Sequence, residues 1–408
     1  MQVPGCTGAK VLSCLVLALV LSARAATAQV LPEEPISIAG GHVVFGAEVT
    51  GTFAPDDPGF FNYTSYEFSA LRNFRMAVSA EVRANDHVQV LGEVRFDQGR
   101  VLEAYGLFVR VRPWPQRRFD IQAGRVPPTF GAMTRTTYGS SNLLIGQPLA
   151  YQYLTSIRPD ALPGTVDDLL RMRGRGWSSS FTVGDLAPAP GLPIVNTSEW
   201  DTGVQVHGVN GIVEWTGAVT AGSLSDPRFH DNNRSRQFAA RGVIRPLAST
   251  AIGVSAARGA WVNRSLEEEL AGAGSDASQQ VGLGADIEYS AGAFLVRGEA
   301  IRSTWHMPAI ESLDLREPLV AISTLIEGRY KIMPGLYLAM RGDRLDFSKV
   351  RGRAGLVEWD SQVWRFETGL GYSITRNIMV KGAWQKNGRD GGRVRHDELF
   401  GAQVLYWF

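Results

Sequence analysis

Cysteine and lysine are scarce in this chain of 408 residues. Its two cysteines, Cys6 and Cys14, lie close to the N-terminus, so no disulfide framework and no thiol chemistry are expected further along. Beyond Lys10 the sequence contains four lysines, and arginine supplies the rest of the positive charge. The formal net charge of +1 gives no overall attraction to nucleic acid, and we expect no nucleic-acid partner.

Long apolar runs are also absent beyond the N-terminal segment. No stretch there approaches the roughly 18 consecutive apolar residues that a membrane-spanning helix needs. The composition, with 44% hydrophobic residues, 20% charged residues and 45 glycines, is too polar for a bundle of membrane helices and too apolar for a disordered chain. A glycine-rich β protein fits these values, and any crossing of a membrane would be made by strands.

The N-terminus has the features of an export signal. Lys10 precedes the apolar run Val11–Leu21, and Ala26-Thr27-Ala28 matches the small-residue pattern at which such leaders are cleaved. We therefore predict a signal peptide over residues 1–28. A lipid anchor on Cys14 is the alternative, although most of the apolar run follows this cysteine instead of preceding it.

A two-residue alternation dominates the sequence from His42 to the end. In Phe74–Arg83 apolar side chains alternate with charged or small ones, and after the short turn Ala84–His87 the pattern returns in Val88–Asp97. Alternation over about ten residues is typical of strands with two different faces. We predict strands at 42–53, 64–83, 88–97, 102–112, 119–126, 200–208, 212–222, 236–245, 250–259, 280–289, 293–303, 318–330, 335–346, 361–373, 377–386 and 397–408.

The connections between these strands favour a membrane barrel over a soluble β-sandwich. Short turns such as Ser290–Gly292 alternate with long segments such as Ala260–Gln280. Outer-membrane barrels have this asymmetry, with short turns on the periplasmic side and long loops outside. Aromatic residues stand near strand ends, where they suit two interfacial girdles. These are Tyr105, Trp215, Tyr289, Tyr330, Trp364, Tyr372, Trp384 and Tyr406.

We therefore predict an all-β fold, a closed transmembrane antiparallel barrel of about sixteen strands over residues 42–408, with residues 29–41 as a periplasmic N-terminal segment. Tyr406-Trp407-Phe408 resembles the C-terminal signature read by the barrel-assembly machinery, so Phe408 is expected to be an assembly signal. An eighteen-stranded barrel is the alternative, if Met172–Val183 pairs with a further strand. Outer-membrane lipid is expected to contact Val90, Val94, Leu283, Phe366 and Val380.

A segment of more than seventy residues between Arg125 and Trp200 lacks the alternation. Connections this long are usually functional or disordered, and the apolar content of this one favours order. Because a sixteen-stranded barrel otherwise encloses a wide aqueous lumen, we predict residues 127–199 to be a constriction loop folded into the pore. An ordered extracellular cap is the alternative. The apolar anchors are Phe130, Met133, Tyr138, Leu143, Leu144, Ile145, Tyr151, Tyr153, Leu154, Leu169 and Leu170.

The passage into this segment resembles a known family. Ile121–Gly131, with its Gly-Arg, Pro and Phe-Gly, is similar to the stretch that leads into the constriction loop of the phosphate-selective porin family. Gly203–Gly208, Thr220–Ser223 and Ala240–Pro246 resemble strands that follow the loop in that family. The resemblance implies a sixteen-stranded barrel that is commonly a homotrimer. It does not imply phosphate selectivity, which depends on a dense lining of arginine and lysine.

Charged residues of both signs occupy the polar phase of the strands. If neighbouring strands pair arginine with carboxylates, the lining has little ion preference. If the arginines of the long segment instead form a basic eyelet, the pore prefers anions, although Asp160, Asp167 and Asp168 lie close to them in sequence. The pore-lining candidates are Arg75, Glu93, Arg95, Arg125, Arg158, Arg171, Arg173, Arg175, Arg241, Arg297, Arg329, Arg341 and Arg365.

No catalytic motif is recognisable in the sequence. It lacks G-x-S-x-G, H-E-x-x-H and a glycine-rich phosphate loop, and its six histidines are scattered singly. Asp167-Asp168 could bind a cation, but two adjacent carboxylates do not define a metal site. We expect no enzymatic activity, no cofactor and no metal, and a passive diffusion channel for small ions or polar solutes with a mild preference for anions. The alternatives are a binding or export barrel without an open pore, and a barrel hydrolase.

Overall fold

Antiparallel strand pairing organises the chain. The computed structural model describes residues 31–63, 69–97, 102–114, 116, 118–230, 235–270, 278–308, 315 and 317–408. Within these residues, sixteen long strands pair, each with the next along the chain. They are β1 (Val43–Phe53), β2 (Asn73–Arg83), β3 (Val88–Asp97), β4 (Glu103–Val111), β5 (Phe119–Val126), β6 (Asp201–Asn210), β7 (Val213–Thr220), β8 (Gln237–Leu247), β9 (Thr250–Ala260), β10 (Gln279–Ala291), β11 (Phe294–Trp305), β12 (Leu319–Met333), β13 (Leu336–Phe347), β14 (Val363–Ser373), β15 (Ile378–Arg389) and β16 (His396–Trp407).

The sheet closes on itself between its last and first strands. The register of β16 against β1 runs from Trp407 opposite Glu48 to Ala402 opposite Phe53. The prediction of a closed sixteen-stranded barrel is confirmed. The eighteen-stranded alternative is wrong, because Val183–Gly184 pairs with Ala161–Leu162 and not with the barrel wall.

Strand ends agree closely with the sequence predictions, with one clear exception. The strand predicted at 64–83 begins at Asn73, because residues 69–72 form a turn in which the Arg72 nitrogen donates to the Ser69 carbonyl at 3.0 Å. Leu71 in this turn is buried in a cluster with Ile145. Residues 64–68, the predicted signal peptide and Cys14 lie outside the described residues.

The remaining elements are short. A strand at Ile36–Ile38 adds to the start of β1, and Lys349–Gly352 pairs with Gly355–Glu358 in a hairpin after β13. No helix in the described ranges is long and apolar enough to cross a membrane. The α-helices are Leu149–Gln152, Val166–Arg171 and Arg264–Glu269, and the 3-10 helices are Ala39–Gly41, Thr134–Thr137 and Gly176–Ser178.

The two faces of the wall differ in polarity, as the alternation predicts. Outward-facing side chains are apolar and exposed, for example Val78, Phe238, Ile326 and Phe400, whereas inward-facing ones are largely polar. Short turns lie at one end of the barrel, the lower end, and long connections at the other, the upper end. An apolar exterior of this kind is stable in lipid and not in water, so the fold is that of an outer-membrane barrel.

Tyr105 is a correction to the predicted aromatic girdles. Its side chain is 4% exposed, lies 3.3 Å below the Arg95 guanidinium and donates from its hydroxyl to the Thr197 carbonyl at 2.5 Å. The cause is a bulge in the pairing of β3 with β4 after Glu93, which shifts the phase of β4 at Tyr105. Tyr289, Tyr330 and other predicted girdle residues remain exposed on the outside.

Adjacent residues on β2 provide a test of the two faces. Val78→Arg places a cation on the lipid side at mid-strand and is expected to destabilise folding into lipid by about 2 to 4 kcal/mol. Ser79→Arg, one residue along and facing the lumen, is the matched control and should have little effect. Urea titrations in lipid vesicles measure both free energies. Equal losses for the two variants would contradict the assignment of faces.

Candidate functional site

The first part of residues 127–200 (the insertion) bonds to inward-facing groups of the wall, and the rest packs against the connections at the upper end. The apolar side chains of the insertion form a core with one another and with Trp261, Trp305 and Trp359, which stand at or above the upper ends of the strands. Most of the anchors noted in the sequence are buried, and Phe130 and Leu169 are almost inaccessible. The insertion is therefore a folded unit attached to the upper half of the wall.

Capping and glycine contacts shape this unit locally. The hydroxyl of Thr165 accepts a hydrogen bond from the Asp168 nitrogen at 3.2 Å, which caps the helix Val166–Arg171. Gly174 has a φ of +67°, and a Cβ there would lie 2.9 Å from the Gly392 nitrogen. Only glycine permits this approach to the connection between β15 and β16.

Carboxylates on three wall strands hold the first part of the insertion. Each accepts hydrogen bonds from N–H or hydroxyl groups of the insertion, and such charge-assisted bonds are stronger than neutral ones. Burial raises the pKa of both tyrosine hydroxyls involved, so they remain protonated donors. The bonds run from Ala132 N to Glu299 on β11 (2.7 Å), from Tyr151 Oη to Glu299 (2.8 Å), from Tyr138 Oη to Glu93 on β3 (2.9 Å) and from Gly139 N to Glu48 on β1 (2.7 Å).

Wall groups on β2 and on β13 to β15 also hold this part of the insertion. Here cations donate to backbone carbonyls, and carboxylates accept from backbone nitrogens. The contacts are Lys381 Nζ on β15 to Gly139 O (2.6 Å), Arg75 on β2 to Thr137 O (2.6 Å), Arg365 on β14 to Gln147 O (2.9 Å), Gly146 N to Glu367 on β14 (2.8 Å) and Leu149 N to Asp343 on β13 (2.9 Å). The insertion is thus bonded to strands on both sides of the lumen.

A buried ion cluster lies at the centre of this attachment. Arg341 has a fully buried side chain and contacts Glu367 at 2.7 Å, Glu327 at 3.3 Å and Asp343 at 3.7 Å. It also donates to the Gly146 carbonyl of the insertion. Removing one member of such a cluster leaves uncompensated buried charge, which is far more costly than the net value of the pairs.

Asp360 joins the insertion to the connection between β13 and β14. Its buried carboxylate accepts hydrogen bonds from the nitrogens of Ser156 at 2.7 Å, Gly174 at 2.8 Å and Ser361 at 2.7 Å. Burial raises the pKa of Asp360, and the three N–H groups oppose this by stabilising the charged form. The upper surface of the insertion is therefore fixed to the outer connections.

Most of the candidates on the wall fall into two groups. Arg75, Glu93, Arg95, Arg341 and Arg365 contact the insertion, and the Arg95 guanidinium lies 4.9 Å from the centre of the Tyr138 ring. The second group makes its ion pairs within the wall. Its pairs are Arg241 with Asp286 at 2.6 Å and Arg297 with Glu288 at 2.9 Å.

Arg125 also contacts the insertion, at its last residue, Trp200, and Arg329 belongs to neither group. Arg125 donates to the carbonyls of Ala104 at 2.6 Å and Trp200 at 2.8 Å, and its guanidinium lies 5.2 Å from the centre of the Phe229 ring. Arg329 is half-buried on the inward phase of β12, with no ion pair in the part of the chain that the structure describes.

The four arginines of the insertion are not brought together. Arg158 is fully buried and pairs with Asp160 at 2.9 Å, whereas Arg173 pairs with Asp390 at 2.9 Å. Arg171 and Arg175 are exposed at the upper surface. The neighbouring carboxylates are also engaged, since Asp168 contacts Arg171 at 2.7 Å and Asp167 contacts Arg353 at 3.0 Å.

Below the insertion, the lumen keeps accessible charges of both signs. His207 on β6 lies 3.3 Å from Glu214 and 3.6 Å from Asp120 through its two ring nitrogens. Arg297 and Glu288 are also partly exposed at this level. The lining at the lower end of the lumen therefore carries charges of both signs.

Six residues that hold the insertion were not among the pore-lining candidates: Glu48, Glu299, Asp343, Asp360, Glu367 and Lys381. Lys381 and Asp343 stand on the inward phase of their strands, where they resemble every other polar wall residue. Asp360 stands outside any periodic pattern. A lysine surrounded by carbonyls of the chain, as Lys381 is, has no sequence signature, although the rarity of lysine in this chain marks the position as unusual.

The fold is shared with solved outer-membrane barrels. A loop-deletion mutant of OmpT, an outer-membrane protein of Vibrio cholerae, is similar at 12% identity with a TM-score of 0.53, covering 90% of this chain and 99% of that one. OmpF of Salmonella typhi, solved with daunomycin, is similar at 10% identity with a TM-score of 0.54, and the match covers 90% of this chain and 97% of that one. The outer-membrane channel DcaP of Acinetobacter baumannii is similar at 10% identity with a TM-score of 0.52, and the match covers 92% of this chain and 100% of that one.

Sequence comparison adds nothing to this likeness. No protein-family model matches the chain, and no curated protein matches it. At these identities the structural likeness establishes a porin-type fold and not a subfamily. It gives no separate support to the phosphate-selective resemblance.

Proposed function

We propose that this chain is an outer-membrane porin, a passive diffusion channel for small ions or polar solutes that the insertion narrows. The supporting observation is a sixteen-stranded wall whose polar lumen is wide enough to hold a folded segment bonded both to β3 and to β11, eight strands away. The similar DcaP barrel is described as a channel. The proposal assigns the barrel no enzymatic activity, cofactor or metal.

Planar bilayer recording of the purified full-length barrel tests this function. Stepwise currents in salt, from protein that shows heat-modifiable migration on gels, are the expected result. Competing phosphate, chloride and neutral sugars in the bath would then identify the solute class. A folded barrel that carries no current would overturn the proposal.

A binding or export barrel without an open pore is the second candidate. The observation that favours it is the set of hydrogen bonds that fix the insertion to β1, β3, β11, β14 and β15, which leaves less of the lumen free than an open loop would. Absence of current in wild type together with current after removal of the insertion would select it.

A mild preference for anions is part of the proposal. Arg175 is exposed at the upper mouth and has no ion pair with any residue that the structure describes, whereas the exposed Arg171 pairs with Asp168. The nearby Asp167 and Asp390 are already paired with Arg353 and Arg173. Unpaired positive charge at a pore mouth raises the local anion concentration.

Replacing both exposed arginines tests that preference. The double change Arg171→Gln and Arg175→Gln should shift the reversal potential in a KCl gradient by a few millivolts toward cation selectivity, because it removes positive charge from the mouth. Arg376→Gln, an exposed arginine at the lower end, is the control and should shift it less. An unchanged potential in the double variant would contradict the anion preference.

A homotrimer and delivery by the barrel-assembly machinery complete the proposal. Phe408 exchanges backbone hydrogen bonds with Ala47 of β1 at 3.0 and 3.1 Å, so it takes part in closing the barrel. Mass measurement in mild detergent tests the trimer, and surface levels after Phe408→Ala test the assembly signal.

A further inference from the structure

The outer surface of β6 to β10 carries an apolar groove of about 570 Å³. Two rows of outward-facing residues that pair across these strands form it. The floor consists of small residues, and larger apolar side chains stand beside it. The first row is Val206, Gly217, Ala240, Ala256 and Leu283, and the second is Val204, Val219, Phe238, Arg258 and Val281.

The groove lies in the upper half of the barrel wall. Phe238 is the second residue of β8, which begins at the upper end, and Arg258 lies two residues before the upper end of β9. This height corresponds to the outer leaflet of the membrane. The surroundings of the groove are therefore acyl chains below and lipid headgroups above.

Two arginines border the groove on the lipid side. Arg258 belongs to the second row, which is the upper one, between Phe238 and Val281. Arg302 of β11 stands opposite Leu283 and extends the first row by one strand. Both are exposed, and neither has an ion pair or a side-chain hydrogen bond with any residue that the structure describes. They stand two strands apart, which is roughly 10 Å across the sheet.

Other outward-facing cations near the upper end are neutralised by the protein itself. Arg344 pairs with Asp346 at 2.8 Å, and Lys386 pairs with Glu398 at 2.9 Å. Arg258 and Arg302 differ in lacking such a carboxylate. A cation on the lipid face is costly unless it reaches the interface and finds a counter-charge there.

We propose that this groove binds a phosphate-bearing lipid of the outer leaflet. An acyl chain lies along the floor of Gly217, Ala240 and Ala256, and the lipid phosphate lies between Arg258 and Arg302. Arginine suits this role because its planar guanidinium can bind a phosphate through two parallel hydrogen bonds.

A second copy of the chain is a less suitable occupant. Small residues do permit close approach of two proteins in a membrane, but the partner would have to supply carboxylates to Arg258 and Arg302. On the outward phase of β6 to β16, the carboxylates in the described residues are Asp346 and Glu398, and both are already paired. A lipid phosphate supplies the missing charge directly.

Titration of the full-length barrel in detergent with bis-phosphorylated lipid A, followed by native mass spectrometry, tests the site. Arg258→Gln should weaken binding about fivefold, and Arg258→Gln with Arg302→Gln about twenty-fivefold, given about 1 kcal/mol for each cation near an anionic headgroup. Ala240→Trp fills the floor and should abolish the specific adduct. Phosphatidylcholine should bind no better than the background.

Matched variants keep the outcome interpretable. Arg344→Gln removes an outward arginine that is already paired, and Ala80→Trp adds the same bulk on β2, away from the groove; both should bind lipid A as wild type does. Equal binding by all variants, or equal binding of phosphatidylcholine, would overturn the proposal. So would loss of oligomers without loss of lipid A in Ala240→Trp, since the groove would then be a protein interface.

Discussion

Replacing residues 132–193 with a short Gly/Ser linker should raise single-channel conductance several-fold. The wall would remain, because β5 and β6 pair directly from Phe119 to Val126 without help from the deleted residues. Sixteen strands alone enclose an aqueous channel, and the deleted segment is the material that now occupies its upper half. Ion selectivity should relax at the same time, because the narrowest passage would disappear.

Truncation of the hairpin Lys349–Glu358 is the comparison for this deletion. The hairpin follows β13 and stands, like the insertion, at the upper end of the barrel. Its contacts with the insertion are at the upper surface, where Gly352 lies close to Leu170. A much smaller change in conductance is expected. If the deletion leaves conductance at the wild-type value while the barrel stays heat-modifiable, the insertion does not set the width of the pore.

Strand positions could be predicted from the sequence because the wall separates two environments. An outward-facing position such as Val78 must be apolar, whereas an inward-facing one such as Ser79 can be polar, so every strand shows the same alternation. The pairing of each strand with the next follows from the short turns. The alternation mispredicts the direction of a side chain where a bulge changes the pairing. The bulge after Glu93 turns Tyr105 inward, and the local sequence does not indicate this bulge.

The attachment of the insertion could not be predicted in the same way. Its apolar residues indicate that it folds, but they do not say which wall residues it meets. Glu48 and Glu299 have the same place in the alternation as carboxylates that pair with arginine, yet they accept backbone N–H groups of the insertion, and Glu367 does both. That distinction depends on contacts between residues separated by more than 90 positions in the chain.

The sequence could not show which charges are paired. Arg158, Arg173 and Arg175 lie close together in the chain, so the sequence pattern alone places them together in a basic eyelet. In the structure Arg158 is enclosed with Asp160, Arg173 reaches Asp390, and Arg175 is exposed. Which of these arginines is paired depends on carboxylates whose positions are set by the fold.

Arg341→Leu should destabilise the barrel by about 3 to 5 kcal/mol, the cost of removing the cation from a buried ion cluster. Asp343 and Glu367 would then lose the arginine that they contact, and Glu327 would keep only its 3.5 Å contact with Arg297. The Gly146 carbonyl would also lose its donor, so the insertion should become more mobile. Urea unfolding in lipid measures the first effect, and increased current noise in bilayers measures the second.

Arg344→Leu distinguishes the cluster from arginine in general. Arg344 lies three residues along the same strand, faces outward, is more than half exposed and pairs with Asp346, so its loss should cost less than about 1 kcal/mol. Adding Glu367→Gln to Arg341→Leu should recover part of the stability, because it removes one uncompensated buried charge while leaving an oxygen that accepts from the Gly146 nitrogen. Equal losses for Arg341→Leu and Arg344→Leu, with no recovery in the double variant, would mean that the buried cluster does not hold the insertion.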